Sequence, residues 1–230
     1  MSEKNEKLSF SDKTAQFIQK YKIVLIAIFA VAVIALVGLL AYTLIDGGVS
    51  NASAKAMDDI REKYDAYTAM ANDDAKKADS EKAIADAVGA LVKKYPTRIA
   101  AQEALMLKGD LSNRKSDFKN AQDSYYQAFA AGKKSFIAPF ALRNAAVTSE
   151  SAGDIDKAIE YYGIIIKDYK DKLPGLSLSY FNLGRLYEAK KDYVKAAATF
   201  TTMGDLFPID NWTNLAKSRI IYFKSQGLVP

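Results

Sequence analysis

The 230-residue chain contains no cysteine and no histidine. Without cysteine there is no disulfide, no thiolate nucleophile and no cysteine-bound metal, and the lipidated cysteine of bacterial lipoproteins is excluded. Without histidine the commonest general base and the commonest transition-metal ligand are gone. A glycine-rich phosphate loop is also lacking, and so are an alternating strand pattern and a long low-complexity linker. Charge of one sign is not concentrated. The net charge is +5; residues 1–45 hold five lysines and three acids, leaving 27 basic and 24 acidic residues to 46–230. So even a balance argues against nucleic-acid binding, which needs a basic face.

What is present is, first, a long apolar run. Ile23 to Ile45 is 23 residues without a charge, and only Thr43 and the Tyr42 hydroxyl are polar. Roughly 20 helical residues cross the hydrocarbon core of a bilayer. Tyr21 and Tyr42 stand near the two ends, Lys20 and Lys22 mark the entry, and Asp46, Gly47 and Gly48 mark the exit. A cleaved signal peptide is the rival reading, but its apolar region is usually about 7–15 residues. Ala52-Ser53-Ala54 resembles a cleavage site, yet lies well beyond the run. Lys4, Lys7, Lys13, Lys20 and Lys22 crowd the N-terminal side, and the first base after the run is Lys55. The positive-inside rule then leaves the N-terminus in the cytoplasm and the C-terminal part across the membrane. Ala35, Gly38 and Ala41 share one helical face and would allow close helix approach, or simply reflect the composition of membrane helices.

The second feature is an internal repeat. Asp117-Phe118-Lys119-Asn120-Ala121 with Tyr125, Asp154-Ile155-Asp156-Lys157-Ala158 with Tyr162, and Asp192-Tyr193-Val194-Lys195-Ala196 with Phe200 follow one pattern. The aspartate suits a helix N-cap, the alanine a close helix crossing, and the aromatic fills the space one turn later. The alanines are 37 and 38 residues apart, a helix-hairpin repeat length. Ser80, Ile84 and Val88 form a weaker earlier copy. Counting Ser177 as the first position, Tyr180, Leu183, Gly184, Tyr187, Ala196, Phe200 and Pro208 fall on the signature positions of the tetratricopeptide family, which this last repeat resembles. Gly109 and Ala121 keep two of those positions in the first clear repeat, and Ala146 replaces the glycine in the second. Tyr95-Pro96 and Phe207-Pro208 read as terminators.

The sequence therefore predicts an all-α protein, one N-terminal transmembrane helix followed by a tetratricopeptide-like α-solenoid of helix hairpins. The expected organisation is a cytoplasmic tail at 1–22, a membrane helix at 23–45 and a repeat domain at 50–230. Its repeats cover about 50–96, 98–131, 137–171 and 176–207, with a capping helix at 212–224. A long helix is expected from Ser50 to about Ala78, paired with Ser80 to Tyr95.

No catalytic motif is complete. Ser112 to Lys115 and Ser116 to Lys119 fit Ser-x-x-Lys, but no Ser-Asp-Asn or Lys-Thr-Gly accompanies them, and a capping turn explains both. Asn51-Ala52-Ser53 and Asn211-Trp212-Thr213 match the short glycosylation acceptor pattern, which arises by chance. Asp58, Asp59, Asp73, Asp74 and Asp79 have no calcium-loop spacing and interleave with Lys55, Arg61, Lys63, Lys76 and Lys77, as on a solvated helix face. Neither catalytic residues nor metal or cofactor ligands are expected.

The whole arrangement resembles the YfgM-like family: a short lysine-bearing tail, one membrane helix, then tetratricopeptide-like repeats, with the segment Tyr95-Pro96 through Ala104-Leu105 adding to the match. That resemblance implies a bacterial inner-membrane protein with a periplasmic repeat domain, associated with the Sec translocon or a periplasmic chaperone. Groove positions of the tetratricopeptide family map onto Met106 and Asp110, then Arg143, Asn144 and Val147, then Phe181, Asn182 and Arg185. Arginine and asparagine there would hold a peptide by hydrogen bonds, and Phe181 and Met106 offer apolar contact. Asp110 disfavours a carboxylate clamp. The expected partners are proteins. Alternatives are an assembly factor in envelope biogenesis or division that self-associates through its repeats, and a cytosol-facing receptor of opposite orientation.

Overall fold

The computed structural model describes residues 10–71, 75–170 and 172–230. Lys4, Lys7, Asp73 and Asp74 lie outside the described residues. Nine α-helices are present among the described residues: α1 (Phe10–Ala69), α2 (Lys77–Lys94), α3 (Ile99–Arg114), α4 (Phe118–Ala131), α5 (Ala138–Ser151), α6 (Ile155–Asp168), α7 (Leu176–Ala189), α8 (Tyr193–Leu206) and α9 (Asn211–Ser225). No strand occurs among the described residues. The chain divides into two units, Met1–Ala52 and Ser53–Pro230.

In the first unit α1 contains a window long and apolar enough to cross a membrane, none of it buried by the rest of the protein. Leu25, Phe29, Ile34, Leu36 and Leu44 all stand exposed. A soluble helix would turn such residues into a core.

In the second unit each helix from α2 onward packs on its successor, so the stack grows in chain order. Met57 and Ile60 of α1 bury against Ile84, Val88 and Leu91 of α2 and Ala101 and Ala104 of α3. A second, larger core runs from Leu105 to Phe223 and holds the repeat residues. Ala121, Ala158 and Ala196 are fully buried, as are Tyr125, Tyr162 and Phe200.

One turn recurs three times and explains the spacing of the helices. The Asp117 amide donates to the Ser112 carbonyl at 2.9 Å, Asp154 to Ser149 at 2.8 Å, and Asp192 to Tyr187 at 2.9 Å. The residue before each aspartate donates to the carbonyl three back: Ser116 to Asn113, Gly153 to Glu150, and Lys191 to Glu188. This is the Schellman closure, which needs a left-handed residue. Ser116, Gly153 and Lys191 supply it, with φ of 60°, 80° and 60°. The same aspartate then starts the next helix. Its carboxylate accepts from the backbone N–H of Asn120 at 3.3 Å, Lys157 at 3.2 Å and Lys195 at 3.1 Å. One residue thus ends one helix and caps the next, which fixes the hairpin with no spare loop.

Two glycines set how closely the hairpins close. A Cβ at Gly109 would lie 2.5 Å from the Tyr125 ring, and one at Gly184 would collide with the Phe200 ring. In the middle hairpin Ala146 is tolerated at the equivalent position, fully buried.

Three boundaries differ from the sequence expectation. The helix expected to run from Ser50 to about Ala78 ends at Ala69, where the Met70 amide bonds three residues back to Tyr67 instead of four. Its partner starts at Lys77, so Ser80 lies in the first turn, its amide bonded to the Lys76 carbonyl. The last helix starts at Asn211, because Asp210 caps it by accepting from the Trp212 amide at 2.8 Å. Asp210 also accepts from the Ser177 hydroxyl at 2.8 Å and so ties α9 to α7.

Candidate protein-binding groove

The odd-numbered helices α3, α5 and α7 carry all eight residues expected on the binding face. None is fully buried, and Val147 is 47% exposed. Several are committed to internal contacts. Asp110 accepts a hydrogen bond from the Tyr125 hydroxyl at 2.6 Å. The Asn182 side-chain amide donates to the Tyr162 hydroxyl at 3.0 Å. Arg185 clamps Glu150 of α5 with two hydrogen bonds, the second at 2.7 Å. Phe181 lies against Phe200 and Trp212, with ring centroids 5.7 and 5.1 Å away. Arg143 has no carboxylate partner among the described residues and covers the Phe140 ring at 5.5 Å. Asn144 is half-buried, and its backbone carbonyl accepts from the Thr148 hydroxyl at 2.8 Å. Met106 is half-buried and lines a cavity described below.

Side-by-side odd helices are bridged by arginine–carboxylate pairs. Arg61 of α1 reaches Glu103 of α3 at 2.6 Å, Arg185 of α7 reaches Glu150 of α5, and Arg219 of α9 reaches Glu188 of α7. Among the described residues no such bridge joins α3 to α5. The repeat register says why. Glu150 and Glu188 stand four residues before the capping aspartates, and the matching residue of α3 is Asn113. Arg185 stands seven before Asp192, and the matching residue of α5 is Val147. Both halves of the bridge are missing.

A cavity of about 600 Å³ opens on this interval. Met106, Leu107, Phe136 and Phe140 supply apolar walls, and Tyr64 of α1 closes one side. Asp65, Glu103, Asp110 and Arg61 stand around it. Burial pushes the Asp110 carboxyl above the ordinary carboxylate range, against the opposing pull of the Tyr125 hydrogen bond and the Arg114 charge. Asp110 and Met106, both expected from sequence, thus meet here with Phe140. A second cavity, of about 570 Å³, lies between α7 and α9 and brings Phe181 and Arg185 beside Arg219 and Tyr222. The repeats gave no direct sign of Phe136, Tyr64 or Asp65, because these sit in a loop and on the last turns of α1.

The Ser-x-x-Lys segments occupy the first Schellman turn. Lys115 is held by Glu81 at 2.6 Å, so this lysine faces a carboxylate across helices, not a serine. Burial also holds the Tyr125 phenol far above its ordinary value.

No family model matches the chain. It is 28% identical over 120 residues to a TPR repeat-containing protein of Treponema pallidum (strain Nichols), over 51% of this chain and 48% of that protein. The chain thus spans about half the length of the curated relative it matches. In structure it is similar to a tetratricopeptide repeat protein from Parabacteroides merdae, with a TM-score of 0.54 and 18% identity, covering 75% of this chain and 61% of that one. The fold is a tetratricopeptide-type α-solenoid. In tetratricopeptide terms α3–α4, α5–α6 and α7–α8 are the repeats, and the odd helices are their first helices.

Proposed function

We propose that the protein is a membrane-anchored, non-enzymatic protein-binding module whose working surface is the face formed by the end of α1 with α3, α5 and α7. The observation that carries this reading is the cavity between α1, α3 and α5, where an otherwise regular ladder of ion pairs is interrupted and apolar side chains stand open. A solenoid with only structural duties has no reason to leave that interval unfilled. The apolar, unburied part of α1 supports an anchor in a bilayer. Lysine placement supports a cytoplasmic N-terminus and a periplasmic repeat domain in a bacterial inner membrane. The architecture resembles the YfgM-like family, which supports a scaffold or chaperone-like role near protein export, beside the translocon or a periplasmic chaperone.

Crosslinking in native membranes tests this. Crosslinks from the odd-helix face to an export component or a newly exported chain are expected. Crosslinks confined to lipid and to unrelated envelope proteins would reject the export role.

A second reading, an assembly factor that self-associates, is favoured by exposed apolar residues near the end of the stack. Ile209 is 96% exposed and Ile221 68%, where a capping helix would ordinarily be polar. Mass measurement of the full chain in detergent discriminates: a monomer counts against self-association.

A further inference from the structure

We propose that the cavity between α1, α3 and α5 takes a peptide segment in which a bulky apolar side chain stands next to lysine or arginine. This rests on the protein-binding reading above and narrows it to one partner chemistry.

The apolar half of the argument is the wall. Met106, Leu107, Phe136 and Phe140 border a space of about 600 Å³, within the range of about 300–1,000 Å³ in which proteins commonly enclose ligands. Phe136 is 69% exposed. An exposed phenylalanine beside other apolar walls gains stability when another apolar group covers it.

The charged half is a surplus of carboxylates. Asp65, Glu103 and Asp110 outnumber the guanidiniums near them, Arg61 in the lining and Arg114 on the Tyr64 hydroxyl at 3.2 Å. Arg61 is already shared between Glu103 at 2.6 Å and Asp58 at 2.9 Å. Asp65 has no ion-pair partner among the described residues. Asp110 is held by a neutral hydroxyl. Among the described residues, neither Asp65 nor Asp110 therefore has a salt-bridge partner where it borders the apolar space, and the Arg114 charge acts on Asp110 from one turn away. An acidic or carboxylate-terminated peptide would be repelled there. A basic side chain, its aliphatic stem against the wall and its head between Asp65 and Asp110, satisfies both halves at once.

The test uses the full chain in lipid nanodiscs and fluorescent synthetic peptides of one Gly/Ser frame. One carries Leu-Lys-Phe-Arg, a second has Glu in place of both bases, and a third has Ser in place of both apolar residues. Fluorescence anisotropy should show the first binding at least about tenfold more tightly than either control, with an affinity that falls as salt rises. Asp65→Asn should weaken it several-fold, and adding Asp110→Asn should bring the loss to about tenfold. The carboxamide oxygen introduced by Asp110→Asn would still accept the Tyr125 hydrogen bond, and Asp65 is exposed, so the melting temperature should not fall. Equal binding of the glutamate peptide, indifference of the first peptide to Asp65→Asn, or no binding of any peptide would overturn the proposal. If the glutamate peptide or a native partner bound elsewhere on the odd-helix face, the protein-binding reading would stand while this one failed.

Discussion

At the scale of single residues, the repeat positions do three separate jobs. The glycine makes room, the left-handed residue turns the chain, and the aspartate reopens the helix. Gly184→Ala puts a methyl into the buried Phe200 ring, and overpacking of this kind costs about 1–3 kcal/mol. A lower melting temperature is expected by thermal denaturation, with a similar loss for Gly109→Ala against Tyr125. Lys191 holds a φ of 60° that glycine adopts freely. Lys191→Gly should therefore stabilise the protein, and Gly153→Ala should destabilise it, each by about 1 kcal/mol. Asp110 makes a pH-dependent contribution. Burial raises its carboxyl pKa in the fold, so the folded protein holds that proton more tightly than the unfolded chain. The contribution is fully favourable below the ordinary carboxylate value and is lost as pH rises through the folded value. Asp110→Asn should thus raise the melting temperature at neutral pH and make no difference in acid. Asp117 and Asp192 run the other way. Hydrogen bonds from the side chains of Asn120 and Lys195, and then the cap bonds from their backbone N–H groups, lower these pKa values, so the aspartates' contribution fades as pH falls through the folded values.

At the scale of elements, the capped second helices were legible because aspartate, alanine and aromatic stand at fixed offsets in all three copies. The long stretch around α1 and α2 was less so. It has no capping aspartate of that pattern, and its helices are set by burial of Met57, Ile60, Ile84 and Val88, which periodicity locates only within a few residues. The start of α9 was expected one residue late, because its cap, Asp210, sits between Pro208 and Trp212 and looks like an ordinary loop acid. The residues expected in the groove lie on α3, α5 and α7, but contacts that cross repeats could not be read from any one copy. Arg185 is the clearest case. By type and position it looks like a free cation, yet it bridges α7 to Glu150 of α5. Reversing its charge would disturb helix packing as well as binding. Arg185→Ala should lower stability by about 1 kcal/mol, since the pair is only partly exposed, whereas Arg143→Ala, which gives up stacking on Phe140 but no ion pair, should lower the melting temperature less. Of the two, Arg143 is the cleaner probe of binding.

At the scale of the whole molecule, the sequence already divides into an apolar run and a repeat array, because the two differ in composition and in period. What could not be read from it is the partner, since that depends on which repeat positions are filled and which are left open. The missing bridge between α3 and α5 became visible only once the odd helices were seen side by side. Orientation is open to protease protection in sealed inner-membrane vesicles. With the repeat domain in the periplasm, protease added to inside-out vesicles should leave it intact, and spheroplasts should expose it.

The most direct measurement places a photo-crosslinking residue at Val147, on the odd-helix face, and separately at Thr202, on the exposed side of α8, in the full chain in native membranes. Both side chains are exposed, so neither substitution should unfold the protein. Crosslinks to another polypeptide from position 147, absent or much weaker from position 202, are expected. Crosslinks from 202 alone, or from neither, would contradict the assignment of the odd-helix face as the surface at which this protein works.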